Sequence, residues 1–179
     1  MKQIYFIRHS IRDIRFKHDE RAPLTEEGVE LAKELVDLFK DMEITNIFSS
    51  PFKRAIDTVQ PIADYKEMDV EIIDDFYERT VGDWIDNFSE FAERQWKDFD
   101  YKLEDGESLN EVKKRIVPAF ESIVEKCDGN IIICGHGTSF SVLFNHLTDG
   151  AFGYEEFCEM KMPDVFEYVV GDKVIVKYL

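Results

Sequence analysis

The chain has 179 residues, 44% apolar and 34% charged, a composition that suits one globular core and argues against disorder. A net charge of −16 argues against nucleic acid and anionic membrane as partners, because both are held by a basic footprint. No apolar run approaches the ~20 residues needed to cross a bilayer, and the N-terminal apolar stretch is only a strand long and ends in Arg8, unlike a signal peptide.

Three cysteines, an odd number without framework spacing, fit a reducing compartment, so a cytoplasmic protein is expected. The charge is uneven: residues 1–21 carry six Lys or Arg against three acids, leaving −19 for the rest. A basic segment inside an acidic chain suits a small anion, and a solvated loop of alternating charge fits equally well.

Gln3-Ile4-Tyr5-Phe6-Ile7-Arg8 reads as the first strand. After a polar loop, Thr25 is a candidate N-cap for a helix from Glu26 to Lys40, whose apolar face is Leu31, Leu35, Leu38 and Phe39. Residues 45–49 form a short second strand. Ser50-Pro51 then reads as a cap with proline at the first helical position, opening a helix with Ala55, Ile56, Val59 and Ile62 on one face; Pro61 is expected to bend or end it. A third strand at 70–73 leads into Asp74-Asp75-Phe76-Tyr77-Glu78, and residues 79–106 look aromatic and irregular.

Helical spacing returns from Leu109 to Lys126, with Pro118 expected to kink it. Asn130-Ile131-Ile132-Ile133-Cys134 has the apolar character of a strand buried on both faces. A helix near 139–147 and two strands near 165–170 and 174–179 complete the chain, the last two joined by a Gly171-Asp172 hairpin turn. Alternation of strands and helices predicts an α/β fold, a three-layer α/β/α sandwich with a mostly parallel central sheet. One domain over residues 1–179 is expected, with 79–106 as an inserted segment.

In a parallel sheet the carboxyl ends of the strands share one edge, where ligands bind. That edge collects Arg8, His9, Arg54, Glu78 and His136. Arg54 falls in the first turn of the second helix, where free N–H groups and the dipole favour an anion. A neutral imidazole near its ordinary pKa of ~6.5 attacks phosphorus without a metal. Guanidinium and imidazole donors stabilise the charge spread over the transferring phosphoryl oxygens. Glu78, with its pKa raised by burial among aromatics, could protonate the leaving alkoxide and then deprotonate the attacking water.

These residues resemble the histidine phosphatase superfamily, also called the phosphoglycerate mutase-like family. The resemblance is carried by Arg8-His9-Ser10, Leu24-Thr25-x-x-Gly28, Ser49-Ser50-Pro51-x-x-Arg54-Ala55-x-x-Thr58, Glu78 with Gly82-Asp83-Trp84, Asp105-Gly106-Glu107-Ser108 and Gly135-His136-Gly137, in the family's order over most of the chain. It implies an acid phosphatase-like phosphomonoesterase with His9 as the phosphorylated nucleophile and Glu78 as proton donor. Arg8, Arg54 and His136 would form the phosphate pocket. No metal or other cofactor is implied. Ser10 replaces the family's glycine, and Ile11, Arg12, Asp13 and Ile14 replace its following Glu-Thr and downstream Asn. Ser10 and Arg12 are therefore added as phosphate-binding candidates, and they put substrate identity in question more than chemistry.

Other readings stand beside these. Asp74, Asp75 or Glu107 could replace Glu78 as the acid, while His18 and His146 carry no motif. Neither His9 nor His136 has a ligand-spaced Cys, His or Asp beside it, which argues against a metal. Arg12 and Arg15 fit a second anion site or solvent equally. The aromatic segment could be a lid or could pack on the sheet; Trp84 is expected in the core, with Trp96 and Phe99 open. The functional expectation is a hydrolase of small phosphorylated metabolites. A phosphoglycerate-type mutase is the nearest enzyme alternative, although a single short excursion over the site favours water access. A catalytically silent phospho-ligand-binding protein is the alternative from another class. Oligomeric state is not legible.

Overall fold

The structure is a computed structural model, and it describes residues 2–16, 18–83 and 85–178. Trp84, expected in the core, lies outside the described residues. In chain order the elements are β1 (Gln3–Arg8), α1 (Glu26–Phe39), β2 (Asn46–Ser49), α2 (Lys53–Lys66), β3 (Val70–Ile72), α3 (Phe88–Lys97), α4 (Leu109–Lys126), β4 (Ile131–Gly135), α5 (Gly137–Leu147), α6 (Tyr154–Cys158), β5 (Asp164–Val169) and β6 (Ile175–Lys177). The six strands form one sheet in the order β3-β2-β4-β1-β5-β6. The first four run parallel, while β5 and β6 add an antiparallel edge.

The period-2 alternation of β1 divides the core. Ile4 and Phe6 face the layer containing α4 and α5, with Ile116, Phe120, Phe140 and Phe144. Tyr5 and Ile7 face α1 and α2, with Leu35, Phe39, Val59 and Ile62. The three-layer α/β/α sandwich is thus present, and β4 is buried at every position as its apolar run implied. Among the described residues, no helix is long and apolar enough to cross a membrane.

Caps set several helix starts. The Thr25 hydroxyl accepts the Gly28 N–H at 3.0 Å, and Ser108 with Glu111 forms a capping box on α4. Gly28 also lets two segments meet: a Cβ there would lie 2.3 Å from the Ile11 carbonyl oxygen.

Several local expectations are corrected. Helix α2 starts at Lys53 with Phe52 as its N-cap, so Pro51 stands outside the helix, while the Ser50 hydroxyl accepts the Phe52 N–H at 3.2 Å just ahead of it. Pro61 does not end α2, which runs on to Lys66. Ile62 and Ala63, just past the proline, are buried in the core and anchor the last turns there. Pro118 lies inside α4, as the helical spacing over Leu109 to Lys126 implied. The link between β5 and β6 is 170–174, longer than a two-residue turn.

Segment 79–106 is not wholly irregular, since it contains α3. Its buried Gln95 staples the segment: the amide donates to the Tyr101 and Glu107 carbonyls, both at 2.9 Å, and its oxygen accepts from Arg79. Trp96 and Phe99 stack edge to face at 5.5 Å against the core, which places both as packing residues.

Candidate active site

The register of two parallel strands brings the histidines together. Arg8 pairs with Gly135 across β1 and β4, and the His9 N–H donates to the Gly135 carbonyl at 2.9 Å. The next residue on β4's side is His136, and the two rings lie 5.2 Å apart. The helices that follow β1 and β4 pack on opposite faces of the sheet. That divergence opens a crevice between the two carboxyl ends, the switch point of an α/β sheet. Ser50 joins through its N–H to the Cys134 carbonyl at 2.9 Å, and Ile73, five residues before Glu78, bonds the Ser49 carbonyl at 2.9 Å.

His9 is almost fully buried. Its Nδ1–H donates to the Ser10 carbonyl at 2.7 Å, which leaves Nε2 with a lone pair that accepts from Arg54 Nε at 3.1 Å. Burial pushes the His9 pKa down to about 3, aided chiefly by the Arg54 charge and also by Arg8 and Arg12. This corrects the expectation of an ordinary imidazole pKa: the ring is a neutral base over the whole physiological range.

His136 is fully buried, and burial followed by the neighbouring His9 and Arg54 holds its pKa well below the ordinary value. Its Nε2 meets the Ser50 hydroxyl at 2.6 Å, and Phe52 packs on the ring at 5.0 Å. His136 Nδ1 and Arg8 Nε are buried without a hydrogen-bond partner. Buried polar atoms of this kind need an acceptor or donor, and an anion entering the crevice could supply one.

Arg8 donates to the Met160 carbonyl at 2.8 Å, and Gly137 leaves room for its guanidinium: a Cβ there would lie 3.0 Å from Arg8 Cζ. Arg54 is buried over the Phe52 ring. Its two terminal nitrogens engage Asp19, Nη1 reaching the backbone oxygen at 2.7 Å and Oδ1 at 3.2 Å, Nη2 reaching Oδ2 at 3.3 Å. Arg12 also pairs with Asp19. Arg15 is paired with Asp13, so these two basic side chains of the first segment are met by acids of the same segment.

Glu78 is half-buried, and its hydrogen-bond partners are backbone amides. It accepts from the backbone of Arg79 at 2.7 Å and from Thr138 and Ser139 at 3.0 Å each, capping α5 from another part of the chain. Its charge acts on both Arg8 and Arg54. Glu107 is committed elsewhere: Arg115 binds both its oxygens, at 2.8 and 3.0 Å, and Tyr77 donates at 2.8 Å. Arg115 also holds the Asp75 and Tyr77 carbonyls, at 2.7 and 2.9 Å, so this pair braces the loop that carries Glu78. Among the described residues, no three His, Cys, Asp or Glu side chains converge as metal ligands.

Ser10 turns its hydroxyl away from the crevice, donating to the Gly28 carbonyl at 2.8 Å. Arg8, His9, Arg54, Glu78 and His136 converge, and Arg12 reaches the group through Asp19. Sequence reasoning missed Asp19, Arg115 and the part played by Ser50. Asp19 was one acid among many, and nothing in its spacing ties it to Arg54.

The comparisons bear on this site. The profile of the histidine phosphatase superfamily (branch 1) matches residues 4–165. The chain is 27% identical over 158 residues to the probable phosphoglycerate mutase GpmB of Shigella dysenteriae, covering 80% of this chain and 73% of that protein. It is 43% identical over 68 residues to the transcription factor tau 55 kDa subunit of Saccharomyces cerevisiae, but spans only 14% of that protein and 37% of its own length there. In fold it matches the phosphoserine phosphatase of Entamoeba histolytica with a TM-score of 0.79 at 19% identity, over 100% of this chain and 96% of that one. The profile runs from β1 into β5 and so takes in the strand ends that carry both histidines, Arg54 and Glu78. On that match, the chain belongs to branch 1 of the histidine phosphatase superfamily.

Proposed function

We propose that this chain is a metal-independent phosphomonoesterase acting on a small phosphorylated metabolite through a phosphohistidine on His9. One observation carries the reading most directly: the Nδ1–H of His9 is committed to the Ser10 carbonyl, so the lone pair is on Nε2, beside the Arg54 guanidinium. Nε2 attacks phosphorus, and the P–O bond to the leaving alcohol breaks. The alkoxide takes its proton from Glu78 in its carboxylic acid form, leaving the carboxylate. Glu78 then removes a proton from water, whose oxygen attacks the phosphohistidine, breaking the P–N bond and releasing phosphate with His9 restored. Arg8, Arg54 and His136 stabilise the equatorial oxygens throughout.

Vanadate adopts the five-coordinate geometry of the transferring group and is expected to inhibit p-nitrophenyl phosphate hydrolysis competitively. Full activity at millimolar vanadate would overturn the site as drawn. A panel of phosphorylated metabolites scored by released phosphate identifies the substrate class. Within that panel, net isomerisation of a phosphorylated glycerate without phosphate release would favour the mutase reading, to which the GpmB likeness gives support.

Asp19 places a carboxylate on the guanidinium the substrate needs. Replacing it by Asn removes like-charge repulsion of about 1 kcal/mol, so KM is expected to fall about 5-fold with kcat little changed. Steady-state kinetics check this, and a raised KM would assign Asp19 to orienting Arg54 instead.

A further inference from the structure

We infer that the Ser10 side chain is a positioning residue for the His9 nucleophile: its hydroxyl, anchored on α1, fixes the backbone carbonyl that receives the His9 Nδ1 proton. The catalytic consequence rests on the proposed phosphohistidine reading, whereas the geometry does not.

Ser10 is fully buried, and each of its polar groups ties to a different neighbour. Its N–H donates to the Thr58 hydroxyl at 2.9 Å, and that hydroxyl donates in turn to the Arg54 carbonyl at 2.6 Å, linking the loop to α2. Its Oγ–H donates to the Gly28 carbonyl at 2.8 Å in the first turn of α1. Its carbonyl accepts from His9 Nδ1 at 2.7 Å. One residue further, the Ile11 carbonyl accepts the Thr25 N–H at 2.9 Å and lies against Gly28, which has no Cβ to obstruct it.

A glycine would offer the same N–H and carbonyl. The hydroxyl is what glycine lacks, and it is the Ser10 group that reaches α1. Without it, the nearest tie of this loop to α1 is a residue further on, at Ile11, and the peptide bearing the Ser10 carbonyl gains freedom to rotate. If the imidazole loses its Nδ1 acceptor, only the Arg54 Nε–H on Nε2, at 3.1 Å, still holds the tautomer, and the proton redistributes between the two nitrogens more readily. The Nε2–H tautomer has no lone pair for phosphorus, so the productive fraction of the enzyme falls.

The test is made on the full chain. Long-range ¹H–¹⁵N correlation of the imidazoles, with His9 assigned by loss of its signals in His9→Gln, reads the tautomer directly. Wild type is expected to hold the Nδ1–H form. Ser10→Ala and Ser10→Gly are each expected to raise the Nε2–H share and to lower kcat for p-nitrophenyl phosphate about 3- to 10-fold, the range for one hydrogen bond, with KM nearly unchanged. Ser10→Thr, which keeps the hydroxyl, is expected to keep the wild-type tautomer. Two small replacements guard against one failing to fold. If both variants retain the Nδ1–H tautomer, the proposal is overturned whatever the rate does. If wild type releases no phosphate yet the variants shift tautomer, the phosphatase reading fails and the positioning role stands.

Discussion

Replacing His9 by alanine is expected to lower kcat/KM for p-nitrophenyl phosphate by at least about 10⁴-fold, because the group proposed to form the covalent intermediate is gone. Loss of Glu78 by substitution to Gln should cost less, about 10²- to 10⁴-fold, the range for a general acid. The difference has a structural basis. Among the five converging groups, only His9 combines a proton fixed on Nδ1 with an Nε2 lone pair held by a single donor, Arg54 Nε at 3.1 Å. His136 already has its Nε2 against Ser50. The two arginines remain protonated and serve only as donors. Phosphoenzyme trapping during turnover of ³²P-labelled substrate separates the cases: wild type should hold acid-labile label, His9→Ala none, and Glu78→Gln label that forms slowly. Equal rates for wild type and His9→Ala would return the chain to a phospho-ligand-binding role.

The fold was legible wherever periodicity and burial coincide. Ile4 to Ile7 alternate between two cores, and the isoleucines of β4 are apolar throughout because both faces are covered. The site was legible where residues follow directly on strand ends, as His9 and His136 do. What sequence could not supply were contacts closed by tertiary structure. Glu78 was read with aromatic surroundings because its sequence neighbours are aromatic, yet its partners are the amides of α5, some 60 residues away. Asp19 meets Arg54 only because the loop after β1 folds over α2. Pro51 was read as opening a helix because local preference favours it there, but the Ser50 hydroxyl bonds both His136 and the Phe52 N–H, and the helix begins at Lys53. The pKa of His9 misled for the same reason: burial, which no local pattern reveals, is the largest cause of its shift.

That burial carries a cost at acid pH, and the second large expectation follows from it. His9 and His136 are both held neutral inside the fold, His9 down to about 3 and His136 well below its ordinary value. In the unfolded chain each takes up a proton near ~6.5. Between those limits the unfolded state binds more protons than the folded one, so stability falls as pH falls from ~6.5. From pH 7 to pH 5 the loss is about 2 kcal/mol for His9, and His136 adds to it in the same direction, against a typical total of about 5–15 kcal/mol. Urea titrations at pH 7, 6 and 5 read the slope. The groups facing the rings reinforce it, since Arg54, Arg8 and Arg12 bear on His9, and Arg54, Arg8 and Arg115 on His136. The net charge of −16 works the other way, because partial neutralisation of the acids relieves self-repulsion. His9→Gln resolves the two, for it leaves the acidic surface untouched and removes one buried base. Its loss of stability between pH 7 and pH 5 should be about 2 kcal/mol smaller than that of wild type, while a parallel pH dependence would mean that His9 is protonated within the fold at pH 5.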